Sequence, residues 1–268
     1  MNRALHPGAW IAWAAGAGLV AFTTTDPFYL GLLVSISWFV YAARRHDGPT
    51  GRSFGVFAVA GFVAMAMRTA LVVFDTVQPG SVMFAALEGA RLAALLVTFG
   101  TFNAVTDPFG VLRLAPRRFH EPALAAALAL SIAPRTVASV ARVREAQTIR
   151  GLPTARLRSL PALAVPVLAT GMEEAMTLAE SMDARGHGRG PRSRYRPQPW
   201  TAASAFVSVT ALIAAGAFLW ASFGGLAQLH PSTFPLRWPQ AEPWLLAAEA
   251  LLAAPALLPA MKHEETGR

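Results

Sequence analysis

The feature that most constrains this chain is a run of 23 residues, 201–223, without a single charged side chain. About 20 mostly apolar residues are what one α-helix needs to cross the hydrocarbon core of a bilayer. Similar runs occupy 8–25, 27–43, 53–74 and 81–105, the third interrupted by Arg68 and the fourth carrying Glu88 and Arg91. A weaker run, 244–261, holds Glu249, Pro255 and Pro259. Backbone buried in lipid must satisfy its own N–H and C=O groups, which a helix does within one segment. The expected fold is an all-α integral membrane protein with about five to six transmembrane helices. Its parts are membrane helices over 1–105, a cytoplasmic module of amphipathic helices over 106–199, and one or two membrane helices over 200–268.

Composition agrees. Hydrophobic residues make up 54% of the 268 and charged residues only 14%, against about 25% charged in a soluble domain. The first run has a single arginine before it, Arg3, and no clear cleavage site after it, so it reads as a retained span rather than a signal peptide. No cysteine is present, which excludes disulfides, thiolate metal sites and thiol nucleophiles within this chain.

The net charge is +8, carried almost entirely by arginine, with Lys262 the only lysine. With the N-terminus cytoplasmic, Arg3, Arg44, Arg45, Arg52, Lys262, Arg268 and every arginine from 113 to 196 lie inside, and Arg237 alone faces out. The positive-inside rule selects that orientation, with both termini cytoplasmic. The arginines border membrane runs or line amphipathic helices without interleaved aromatics, so nucleic acid is not an expected partner. The lipid bilayer is.

Between 106 and 199 the apolar runs shorten to 122–133 and 160–172, which are too short to span. Each is followed by amphipathic sequence. Proline at 153, 161 and 166 is expected to start or break helices. The segment should therefore hold about three helical pieces, near 120–150, 154–160 and 162–186.

Two stretches in this module share the pattern Glu-x-x-x-x-Arg-Gly. One runs Glu145-Ala146-Gln147-Thr148-Ile149-Arg150-Gly151, the other Glu180-Ser181-Met182-Asp183-Ala184-Arg185-Gly186. Glycine after the last helical residue and arginine in the last turn are ordinary C-terminal stops. A guanidinium at a helix tip can also grip a partner's carboxylates or carbonyls through two parallel hydrogen bonds. Two such tips on one asymmetric chain would suit a partner present in two similar copies. Residue chemistry alone leaves capping and partner contact both open.

The run Phe119-His120-Glu121-Pro122, the Ala-rich helix after it and Arg142-Val143-Arg144-Glu145 through Arg150-Gly151 resemble the transmembrane T subunit of energy-coupling factor (ECF) transporters. Glu174 through Met182-Asp183-Ala184-Arg185-Gly186-His187-Gly188 resembles that family's second Ala-Arg-Gly motif, and the similarity extends to Leu5-His6-Pro7 and the spans before the motifs. Ile149 departs from the alanine usual before the first arginine, which should alter local packing more than the contact.

The resemblance implies a non-catalytic scaffold. Ile149, Arg150 and Gly151, with Ala184, Arg185 and Gly186, would dock on two ABC-type ATPase subunits, with Glu145 and Glu180 as supporting motif residues. The apolar faces over 123–133 and 160–172 would hold a small membrane substrate-binding subunit. ATP would be bound by the partner ATPases, with no cofactor in this chain, which has no Gly-x-x-x-x-Gly-Lys-Ser/Thr loop. The complex would sit in the plasma membrane and import a vitamin or a transition-metal ion.

Intramembrane charges are costly and usually paired, so Arg68 and Glu88 are expected to form a structural ion pair, with Glu249 and Arg91 as competing partners. The six histidines are scattered, and no metal site is expected. Gly186 through Gly190 is not preceded by a strand and reads as a basic linker, leading to Arg192, Arg194, Tyr195 and Arg196 at the membrane surface. A hydrolytic set at membrane depth is not found. A stand-alone secondary transporter is the rival reading, separated by whether the chain moves substrate without ATPases.

Overall fold

The computed structural model describes residues 5–44, 49–75, 78–151, 160–187, 199–232 and 239–258, and helix is the only regular structure among them apart from turns. In chain order the helices are α1 (Pro7–Thr23), α2 (Pro27–Arg44), α3 (Pro49–Asp75), α4 (Pro79–Val105), α5 (Pro108–Leu112), α6 (His120–Ile149), α7 (Leu160–Ala184), α8 (Ala202–Gly224), α9 (Pro243–Ala250) and α10 (Ala254–Leu257). Six of the ten begin on proline, whose fixed φ suits the first helical position and whose missing N–H has no partner there anyway. Side-chain caps complete several starts. His6 Nδ1 accepts from the Gly8 N–H at 3.1 Å, Asp107 from the N–H groups of Phe109 and Gly110, and Thr201 from that of Ser204.

Helices α2, α3, α4, α6 and α8 are each long and apolar enough to cross a membrane. The chain is an all-α, multi-pass membrane protein. Helix α1, at 17 residues, is shorter. The run at 244–261 does not form one spanning rod: α9 ends at Ala250, a 3-10 turn covers Leu251–Ala253, and α10 ends at Leu257. Pro255 is the physical cause, because its ring would clash with the carbonyl of residue 251 in a continuous α-helix.

The chain divides into two compact units, one built from 1–114 with 198–268 and the other from 115–197. The first thus keeps residues 106–114, expected in the cytoplasmic module. There α5 meets the start of α1, where Gly110 lies so close to Pro7 that an added Cβ would sit 2.9 Å from its ring.

The first unit has a core. Trp13, Val20, Tyr29, Leu33, Val40, Val207, Phe218, Leu245 and Leu252 are fully buried. Helix α1 packs on α8 through Gly16, where a Cβ would approach the Ala211 carbonyl oxygen to 2.8 Å. The Tyr29 and Phe218 rings meet edge to face at 5.2 Å between centroids. Helices α3 and α4 form a close pair, with Gly61 against Ala93, Gly89 against Met65 and Gly100 against Phe57. Small residues allow such approach where lipid supplies no hydrophobic drive between helices. The rest of α3 is open: Val56, Val59, Val63, Met67, Leu71 and Phe74 form an exposed stripe at helical spacing.

The second unit holds a 3-10 turn at Arg117–Phe119, α6 and α7, and the two long helices touch. Pro166 does not break α7 as expected; it lies inside it, as Pro134 lies inside α6. Each proline removes one backbone N–H from its helix, and the helix continues through it. Joined through Pro134, α6 becomes long and apolar enough to span, whereas its apolar run alone was too short. The short piece expected near 154–160 falls almost wholly outside the described residues.

Candidate interaction site at two helix ends

Arg150 and Arg185 occupy matching positions. Gly151 follows the first at φ +73° and Gly186 the second at φ +76°, a left-handed conformation that costs any residue with a Cβ about 1–2 kcal/mol. Nothing lies within 4 Å of where a Cβ would stand at either glycine. Backbone conformation alone requires glycine here.

The end of α7 is a complete Schellman motif. The Gly186 N–H donates to the Asp183 carbonyl at 2.8 Å and the His187 N–H to the Met182 carbonyl at 3.0 Å. These bonds satisfy carbonyls that the helix leaves open. At the end of α6 the Gly151 N–H donates to the Thr148 carbonyl at 3.0 Å, the same inner bond; residue 152, which would make the outer one, is outside the described residues.

Helix α8 provides an internal control. It also stops on a left-handed glycine, Gly225 at φ +61°, with the Leu226 N–H donating to the Ala221 carbonyl. Gly224 stands there where α6 and α7 carry arginine. The stop therefore does not need an arginine, so capping accounts for the glycines and leaves the guanidinium groups unexplained.

Both arginines are exposed, as are Glu145, Ile149, Glu180 and Ala184, whereas Gly186 is half-buried. Each arginine stands five positions after its glutamate, about 140° around a helix of 3.6 residues per turn. That spacing turns the carboxylate away from the guanidinium. Among the described residues neither Arg150 nor Arg185 makes a salt bridge. The exposed apolar side chains nearby follow helical spacing on α7: Val165, Leu168, Met172 and Met176. Ile149, in the place of the expected alanine, is 80% exposed.

The expected Arg68–Glu88 ion pair is not formed. Glu88 pairs instead with Arg91, at 3.1 Å and three residues along the same helix. The Arg91 guanidinium also lies 5.5 Å from the centre of the Phe22 ring. An i,i+3 pair forms without any register between helices. Arg68 would have to reach across, but α3 turns Phe54, Gly61, Met65 and Thr69 inward and leaves Arg68 exposed. Glu249, the other competitor, takes no arginine among the described residues.

Arg44 plays a part that its position in the sequence does not reveal. Its Nε and Nη2 donate to the carbonyls of Pro255 and Leu258 at 2.8 and 2.7 Å. No local pattern marks a contact between residues so far apart in the chain. Among the described residues no group of three or more His, Asp or Glu side chains could hold a metal ion. The basic linker over 188–196, with Arg192, Arg194, Tyr195 and Arg196, lies outside them, as do Arg237, Lys262 and Arg268.

Comparison of the sequence with protein families and with curated proteins returns no match.

Proposed function

We propose that this chain is the transmembrane scaffold subunit of an ECF-type importer in a prokaryotic plasma membrane, and is not itself an enzyme. One observation carries the reading: two exposed arginines, neither in a salt bridge among the described residues, stand at matching glycine-stopped helix ends within one compact unit. Each would insert a guanidinium into one of two ABC-type ATPases, which bind the ATP. The exposed apolar side chains of α6 and α7 would receive a small membrane substrate-binding subunit. Closure of the ATPases would push both helix ends and so reorient that subunit, importing a vitamin or a transition-metal ion. The orientation proposed by arginine placement puts the two tips on the cytoplasmic side, where ATP is found.

The experiment is co-purification with the two ATPases and ATP-driven uptake in proteoliposomes. The R150A/R185A double variant should lose both while still inserting and folding. Full retention of complex and uptake would refute the reading, and substrate movement without ATPases would favour a secondary transporter.

A further inference from the structure

Glu249 stands apart from the other charged residues described. Its side chain is fully buried, and among the described residues neither carboxyl oxygen has a hydrogen-bond partner. It sits on the last turn of α9, immediately before the helix break. The other polar groups around that break are satisfied. The Leu251 carbonyl accepts from the Ala254 N–H, the Leu252 carbonyl from Trp13 Nε1–H at 2.8 Å, and those of Pro255 and Leu258 from Arg44.

The neighbouring elements offer this carboxyl no cation. Helix α9 packs on α2, α8 and the 3-10 turn. Helix α8 has no titratable residue, and neither has the turn. Helix α2 brings Tyr29, Tyr41 and Arg44; Tyr41 is stacked on Phe54 of α3, and Arg44 is engaged at the carbonyls beyond the break. The Tyr29 oxygen accepts the Glu242 N–H at 2.7 Å and lies close enough to Asp26, Glu242 and Glu249 to interact with their charges. Asp26, also fully buried, accepts the Phe28 N–H on one carboxyl oxygen, and the other has no partner among the described residues. Of these groups only Arg44 is a cation, and its bonds go to the Pro255 and Leu258 carbonyls. A metal ion would need several oxygen ligands, and no such cluster occurs among the described residues. An unpaired carboxylate in an apolar setting is neutralised rather than tolerated. A proton is the one ligand that achieves this without further donors.

We propose that Glu249 is a proton-binding site that locks the broken C-terminal helix: the carboxyl holds its proton while α9 is seated on α2 and α8, and ionisation unseats it. The site is independent of the ATPase reading, since it lies in the other compact unit and uses none of its residues.

The test uses the full chain in lipid nanodiscs. Unfolding is followed from mildly acidic to alkaline pH for the wild type, E249Q and D26N. In the unfolded chain Glu249 ionises like an ordinary glutamate, whereas the folded chain keeps the proton. The wild-type folding equilibrium should therefore weaken by up to about tenfold for each pH unit above the ordinary glutamate range. E249Q should lose that slope and stay folded at alkaline pH, while D26N should keep it. The apolar reagent dicyclohexylcarbodiimide, to which a carboxyl adds only by handing over its proton, should label wild-type Glu249 more slowly as pH rises. Equal slopes in wild type and E249Q would overturn the proposal. Should E249Q fail to fold, wild-type labelling that is absent or independent of pH would overturn it instead, as expected if a residue such as Arg237 or Lys262 paired with the carboxyl.

Discussion

The two compact units solve opposite problems with the same secondary structure. In the first, large side chains such as Trp13, Tyr29 and Phe218 are fully buried against one another. In the second, Gln147 is the only buried residue among those described, although α6 and α7 are 30 and 25 residues long. Helices gain most of their stability from burying an apolar face. The first unit carries its own partner for that face; the second presents it outward. Val165, Leu168, Met172 and Met176 form a ready surface for lipid or another protein, on a unit whose helix tips end in exposed arginines. A region that is all surface is one whose stability and role depend on what covers it.

Substitutions can break or sharpen that contrast. The largest effect should come from Trp13→Ala, which removes a fully buried indole and strips the Leu252 carbonyl of its donor. A loss of about 3–5 kcal/mol is expected, read from unfolding in detergent micelles. Leu33→Ala, in the same core, should cost about 2–5 kcal/mol. If Leu168→Ala in α7 cost as much in the isolated chain, the second unit would have a core of its own and the contrast would fail.

Next come the glycine stops. Gly151→Ala and Gly186→Ala should each cost about 1–2 kcal/mol through the left-handed backbone alone, since space is open at both. Faster hydrogen exchange over the last turns of α6 and α7 would report this, with the first unit unaffected. The smallest stability effects should follow Leu168→Ser and Met172→Ser, within about 0.5 kcal/mol for the isolated chain. The same variants should weaken capture of a membrane partner, measured by co-purification. In the first unit, Glu88→Gln should destabilise more than Arg68→Gln, because only Glu88 has an ion-pair partner to lose.

Much of the fold was legible in the sequence because it is locally encoded. Helix positions follow apolar runs, starts follow proline at 7, 27, 49, 79, 108 and 243, and stops follow glycine at 151 and 186. These are properties of a residue and its immediate backbone. Proline is a weaker signal in a helix interior: Pro134 and Pro166 lie inside α6 and α7 without ending them. The two helix tips were equally legible, as the spacing from glutamate to glycine is a local pattern. That their arginines form no salt bridge among the described residues was not, since an ion pair depends on what else comes near.

The division between sequence and tertiary structure is therefore one of range. By itself the sequence determined an all-α membrane chain, its helix ends and the repeated arginine tips, because hydrophobic run length and backbone conformational preference act within a turn or two. Only the tertiary structure decided that Glu88 takes Arg91 rather than Arg68, that Arg44 holds the carbonyls of Pro255 and Leu258, and that Glu249 is buried without a partner. The last two depend on which face of one helix meets another, and the first on α3 leaving Arg68 exposed while Arg91 lies one turn from Glu88. Apolar side chains of similar hydrophobicity surround every helix here, so their pattern alone does not choose that face.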